Sequence, residues 1–301
     1  MRRAPPWTDA SLYPVVVGTI GAATIVSAAH WMGRDVSFLF SDAHLRRGEL
    51  WRLVTSALPH VNVLHLAFNL YWTWVFGTLV ESSFGHVRTI GIFALFAAVA
   101  SAAEVAIFQG GIGLSGVGYG LFGLVWVLER RDPRFADAID PRTTWLFVGW
   151  FFLCILTTVT GSMNVANVAH AAGAVVGALL GWTIVARGRA RVRAAVATVL
   201  FAALALLGAT VGRPWVNIAP DRGLDESRLG YESLLAGEPD EAVRWLLMAT
   251  ELNPKDARSW FNLGVAYQRL NRLPDASLAY ATAQRLEPDN PAYRGASDGD
   301  R

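Results

Sequence analysis

The sequence predicts an all-α chain in two parts, a polytopic membrane helix bundle followed by a small soluble helical-repeat domain. Three observations carry this. First, charge is unevenly spread. Residues 1–219 hold 16 Arg, no Lys and 10 Asp or Glu, whereas residues 220–301 hold 10 Lys or Arg against 14 Asp or Glu. Soluble domains carry roughly 25% charge, a level that only the second part reaches. Second, the first part contains six stretches free of Asp, Glu, Lys and Arg: 10–33, 53–80, 89–103, 105–128, 143–186 and 194–212. Third, the second part is self-similar at a 34-residue period. Together these exclude a single soluble globule, a disordered chain and a disulfide scaffold. The one cysteine, Cys154, lies in an apolar run.

A helix needs about 20 apolar residues to cross the hydrocarbon core. The stretch 143–186 is long enough for two spans with a turn at Thr160, Gly161 and Ser162. Glu104 interrupts what otherwise reads as one span from 88 to 108. The expected spans are therefore 13–32, 62–82, 88–108, 115–129, 144–160, 166–187 and 193–212. The first apolar run is too long, and too poor in cleavage features, for a signal peptide. Arginine counts set the orientation. With the N-terminus cytoplasmic, the inner segments carry 11 Arg (Arg2 and Arg3, Arg88, the 130–142 group and the 187–193 group). The outer segments carry 4: Arg34, Arg46, Arg47 and Arg52. Seven spans then put the tail outside; an interfacial helix at 194–212 would put it inside.

Three polar clusters fall near the outer ends of spans two, four and six. Intramembrane polar groups are costly and mark function by default. In the first cluster His65 and Asn69 are four apart and share a helix face. No carboxylate at helical spacing completes a metal site, and His60 reads as an interfacial histidine. The second runs Gly110-Gly111-Ile112-Gly113-Leu114-Ser115-Gly116, with Tyr119, Gly120 and Gly123 beyond. Its early glycines place the helix start near Ser115, about 9 Å below the surface. Non-helical backbone at that depth lines a wet cavity or is buried in protein. The free N–H groups of the helix start can stabilise an oxyanion. Gly116, Gly120 and Gly123 fit plain helix packing as well. In the third cluster His170 shares one stripe with Gly173, Gly177 and Gly181, so it lies where span six presses on a neighbour. A lone histidine there is commonly a packing residue. Glycine faces on spans four and six let Ser115 and His170 meet as nucleophile and base. Glu104 is the one embedded carboxylate at similar depth, whereas Glu81 lies near the other end. Tyr119, one turn from Ser115, is in position to stack on His170.

Over residues 51–181 these positions resemble the rhomboid family of intramembrane serine proteases. The resemblance rests on Trp51-Arg52, His60, His65, Asn69, Gly77 and Glu81, then on Gly113-Leu114-Ser115-Gly116, Tyr119, Ala169-His170, Gly173 and Gly177. It implies a rhomboid-like six-helix core, here with a seventh span. It implies a catalytic pair of Ser115 and His170, with His65 and Asn69 in the oxyanion hole. Gly113, Tyr119 and Asn167 are counted as supporting the site, and His60, Glu81, Gly116, Gly173 and Gly177 as structural. The implied chemistry is acyl transfer on transmembrane protein substrates, with no metal or organic cofactor and no nucleic-acid partner.

In the tail, Leu229 and Gly230 align with Leu263 and Gly264, and Ala242, Ala249 and Pro254 with Ala276, Ala283 and Pro288. The second unit, with Trp260, Tyr267 and Tyr280, resembles a tetratricopeptide repeat. The first is degenerate, with Glu226 and Ser233 at the Trp260 and Tyr267 positions. Such repeats imply a protein-binding partner; a helical appendage without specific ligand is the plainer reading. Gly295 to Arg301 reads as a polar, frayed end. The domain plan is thus an N-terminal segment and first span (1–33), a catalytic core (34–190), a seventh span (191–213) and a repeat domain (220–295) with units 223–256 and 257–290. A protease of the plasma (inner) membrane is the leading function. A non-catalytic adaptor working through the tail is the alternative, and a transporter lacks paired midplane charges.

Overall fold

The structure is a computed structural model that describes residues 4–294. Arg2, Arg3 and the polar end from Gly295 to Arg301 lie outside the described residues. Among the described residues all regular structure is helical, and the chain divides into two compact units, Met1–Val216 and Asn217–Arg301.

The first unit contains helices α1 (Pro14–Trp31), α2 (Val63–Phe84), α3 (His86–Ile107), α4 (Ser115–Leu128), α5 (Pro141–Val159), α6 (Asn167–Val185) and α7 (Gly188–Ala209). All but α4 are long and apolar enough to cross a membrane, and the protein is a multi-pass membrane protein. Local signals fix the boundaries. The Asn62 side chain caps α2 by accepting the His65 N–H at 2.9 Å. Gly85, at φ 81°, separates α2 from α3. Asp140 caps α5 at the Thr143 N–H with Pro141 in the first turn.

The seventh helix departs from expectation. It starts at Gly188, not 193, so the planned boundary between 190 and 191 cuts through it. Arginine is a good helix former, and its long stem carries the charge outward. Arg189, Arg191 and Arg193 therefore extend the helix instead of preceding it.

Helix α4 is the short member. Its 14 residues span about 21 Å, against a hydrocarbon core of about 30 Å. Nearly every residue of it is buried. It packs backbone to backbone on α6: a Cβ on Gly173 would strike the Gly116 carbonyl, and one on Gly177 the Gly120 carbonyl. Any larger residue at either position forces the helices apart. Two buried carboxylates tie other helix starts to their neighbours. Glu81 of α2 accepts the Val15 and Val16 N–H groups of α1 at 2.9 and 3.0 Å, and Glu104 of α3 accepts the Ala169 N–H of α6 at 2.9 Å.

The second unit has four main helices, α8 (Leu224–Leu235), α9 (Pro239–Leu252), α10 (Ala257–Arg269) and α11 (Leu273–Leu286), pairing as two helical hairpins. The repeat explains the packing. Gly230 admits the Leu246 side chain and Gly264 the Tyr280 ring. Ala242, Ala249, Ala276 and Ala283 are all buried. Ser233, at the degenerate position, is buried too, its hydroxyl donating to the Leu229 carbonyl at 2.9 Å.

Candidate active site

The site begins with the chain entering α4. Gly110 and Gly113 take φ of 96° and 113°, values that a side chain rarely tolerates. They bring a non-helical loop up to Leu114, which turns into Ser115, the first residue of the helix. The approach is pinned by two bonds: the Gly113 N–H donates to the Ser56 carbonyl at 2.9 Å and the Leu114 N–H to His60 Nε2 at 3.2 Å.

His60 is fully buried. Its Nε2 accepts from Leu114, so its proton sits on Nδ1, which lies 2.9 Å from the Leu58 carbonyl and 3.1 Å from Ser27 Oγ. Every polar atom of the ring is used, which makes burial inexpensive. His60 thus holds the loop ahead of Ser115. Its ring also meets His65 edge-on at a centroid distance of 4.9 Å. His65 lies against Gly113, where a Cβ would come within 2.7 Å of its Cε1.

Helix α6 supplies the imidazole. His170 Nε2 lies 2.8 Å from Ser115 Oγ. The serine is half-buried and the histidine buried. Tyr119 stacks on the imidazole at a centroid distance of 4.6 Å and an interplanar angle of 23°. The tyrosine is itself held by its hydroxyl, which donates to the Phe147 carbonyl at 3.0 Å. His170 Nδ1 is buried without a hydrogen-bond partner among the described residues. Glu104 does not orient the ring directly; its carboxylate caps the start of the helix that carries it. A hydroxyl touching an imidazole is the geometry that general-base activation requires.

Asn69 is buried, and its Nδ2 has no partner among the described residues. Its amide therefore retains a donor in a low-dielectric setting, on the same helix face as His65. Asn167 is the first residue of α6, and its Oδ1 is buried without a partner among the described residues. Its Nδ2 donates to Thr158 Oγ1 at 2.9 Å and to the Val165 carbonyl at 3.1 Å, holding the turn before α6. Glu81 lies at the far end of α2, bonded to α1 and to His86 Nδ1 at 2.7 Å. Among the described residues no three His, Cys, Asp or Glu side chains gather as a metal would require.

Residues 47–187 match the family model described as the rhomboid domain. Matches to tetratricopeptide-repeat models follow, over 230–271 and 257–290. A rhomboid protease GlpG of Enterobacter sp. (strain 638) is 31% identical over 185 residues, covering 59% of this chain and 60% of the relative. The chain thus spans about 60% of the length of that curated relative. Ser115, His170, His65 and Asn69 all lie inside the stretch that matches the rhomboid-domain model, as do the supports from His60, Glu104 and Tyr119.

Three contributors escaped the sequence reading. Ser56 and Phe147 act through their carbonyls, which leave no side-chain signal. The Glu104 link was detectable in principle: a carboxylate inside a span needs a partner, and a helix N-terminus nearby offers free N–H groups.

Proposed function

We propose that the protein is an intramembrane serine endopeptidase in which Ser115 is the nucleophile and His170 its general base. The observation that carries this reading is the 2.8 Å contact between Ser115 Oγ and His170 Nε2 inside a rhomboid domain. As the hydroxyl attacks a peptide carbonyl, His170 Nε2 takes its proton. The tetrahedral oxyanion receives hydrogen bonds from the first N–H groups of α4, from Asn69 Nδ2 and from His65. His170 then returns the proton to the leaving amine, and water hydrolyses the acyl-enzyme by the same relay. Tyr119 fixes the ring plane, and Gly113 leaves room for His65.

The substrates are transmembrane proteins. An intact helix hides its carbonyls in hydrogen bonds, so the cleaved segment unwinds easily near the membrane face. The arginine distribution favours a cytoplasmic N-terminus, which puts Ser115 toward the outer face and, with α7 crossing, the repeat domain on the outer side. The plasma (inner) membrane is the site of action. Functionally the chain divides into a first span, a catalytic core from 34 to about 187, a seventh span and a repeat domain from 220 that recruits a protein partner.

A fluorophosphonate probe tests the nucleophile. The expected result is an adduct that peptide mass spectrometry maps to Ser115, absent in Ser115→Ala. An adduct mapped to another serine overturns the assignment. Neither adduct nor cleavage of a model transmembrane substrate favours a non-catalytic adaptor.

A further inference from the structure

A second cleft opens at the other end of the same helices, with a volume of about 680 Å³. That lies within the roughly 300–1,000 Å³ of ligand-holding clefts. Helices α3, α4 and α6 carry Glu104, Ser115 and His170 near one end; the cleft is built from the opposite ends of α3 and α6, the start of α7 and the turn after α4. Its floor and walls are apolar, formed by Gly91, Ile92 and Leu95 of α3 and Leu180 and Ile184 of α6. Its rim carries three guanidinium groups, Arg88, Arg134 and Arg191. Arg134 is engaged, pairing with Asp132 at 2.7 Å, donating to the Ser83 carbonyl and lying over the Phe84 ring. Arg88 and Arg191 are exposed and have no partner among the described residues. No carboxylate lines the cleft.

We propose that this cleft binds an anionic phospholipid, with its phosphate between Arg88 and Arg191 and an acyl chain along the α3–α6 wall. The two halves of the site demand both halves of that ligand. Guanidinium pairs bind phosphate in bidentate fashion, and basic pockets between membrane helices on the arginine-rich side receive anionic headgroups. A soluble anion would leave the apolar walls unused, and an uncharged lipid would leave the arginines unused. Gly91 forms part of the floor. A Cβ there meets nothing within 4 Å, so the space beside it is open for a chain.

The test uses the full purified chain in detergent and native mass spectrometry with phosphatidylglycerol and phosphatidylcholine of matched acyl chains. The wild type is expected to retain phosphatidylglycerol several-fold over phosphatidylcholine. Arg88→Gln with Arg191→Gln brings that ratio to within twofold of unity. Gly91→Leu, which fills the floor and leaves every charge, lowers phosphatidylglycerol retention several-fold. Arg189→Gln with Arg193→Gln removes the same charge nearby and keeps the preference, and excess inorganic phosphate does not displace the lipid. Circular dichroism checks helicity of each variant, and Gly91→Leu decides if the arginine pair misfolds. Equal retention of both lipids by the wild type overturns the proposal. So does a preference that survives the first pair, phosphatidylglycerol retention that Gly91→Leu leaves unchanged, or a preference that falls equally with the second pair. Displacement by phosphate would reassign the cleft to a free anion.

Discussion

The two ends of the α3–α4–α6 bundle handle polar groups in opposite ways. At the Ser115 end, polar side chains are buried and several are fully paired: His60 with Leu114, Ser27 and Leu58, Glu104 with Ala169, Tyr119 with Phe147. At the other end, charged side chains stand at the rim, and Arg88 and Arg191 are exposed without partners. The difference follows from solvation. A buried polar atom without a partner is costly, so each one left over calls for an explanation. At the Ser115 end the leftovers include Asn69 Nδ2 and His170 Nδ1, one proposed as an oxyanion donor and the other part of the proposed base. An exposed arginine carries no such cost, so its lack of a partner signals availability instead of strain.

Changes at the Ser115 end should therefore be severe and graded by how directly each group meets the reacting atoms. His170→Asn should lower kcat for cleavage of a transmembrane substrate by about 10²–10⁴-fold, the usual worth of a general base, with helicity intact. Asn69→Ala should follow at about 10²–10³-fold in kcat with little change in KM, as for loss of one oxyanion donor. An equal rise in KM would instead mark Asn69 as a substrate-binding group. Gly173→Val should act through packing, because its side chain must displace the Gly116 carbonyl. About 1–3 kcal/mol of stability is at stake, read as a lower unfolding temperature in detergent. Glu104→Ala leaves the Ala169 N–H unpaired and should cost about 1–3 kcal/mol together with activity; Glu104→Gln, which retains an acceptor oxygen, should restore most of both. Arg189→Gln, at the other end and outside the cleft, should change cleavage by less than twofold. A large effect there would break the contrast between the ends.

Much of this architecture was legible in residue order. Uninterrupted apolar stretches gave the spans, because a bilayer leaves a crossing chain little choice but helix. The glycines before Ser115 announced a late helix start, and the stripe through His170 announced close packing on α4. What stayed hidden depended on backbone or on charge placement. The partners of the His60 ring, the Leu114 N–H and the Leu58 carbonyl, are backbone groups that sequence does not display. The true start of α7 was masked by its arginines, which resemble a loop in composition and a helix in propensity. The partners of Asn167 Nδ2, Thr158 Oγ1 and the Val165 carbonyl, likewise show only in the fold. The cleft at the far end gathers residues from four separate segments, a juxtaposition that only the folded bundle reveals.

In the proposed reaction the Ser115 hydroxyl, activated by His170, breaks a peptide bond within the membrane. The most direct measurement reconstitutes wild-type protein and Ser115→Ala with a transmembrane substrate in proteoliposomes and follows product by gel and mass spectrometry. Cleavage by the wild type that falls to background in the variant is the predicted result; cleavage that proceeds unchanged without the hydroxyl would contradict it.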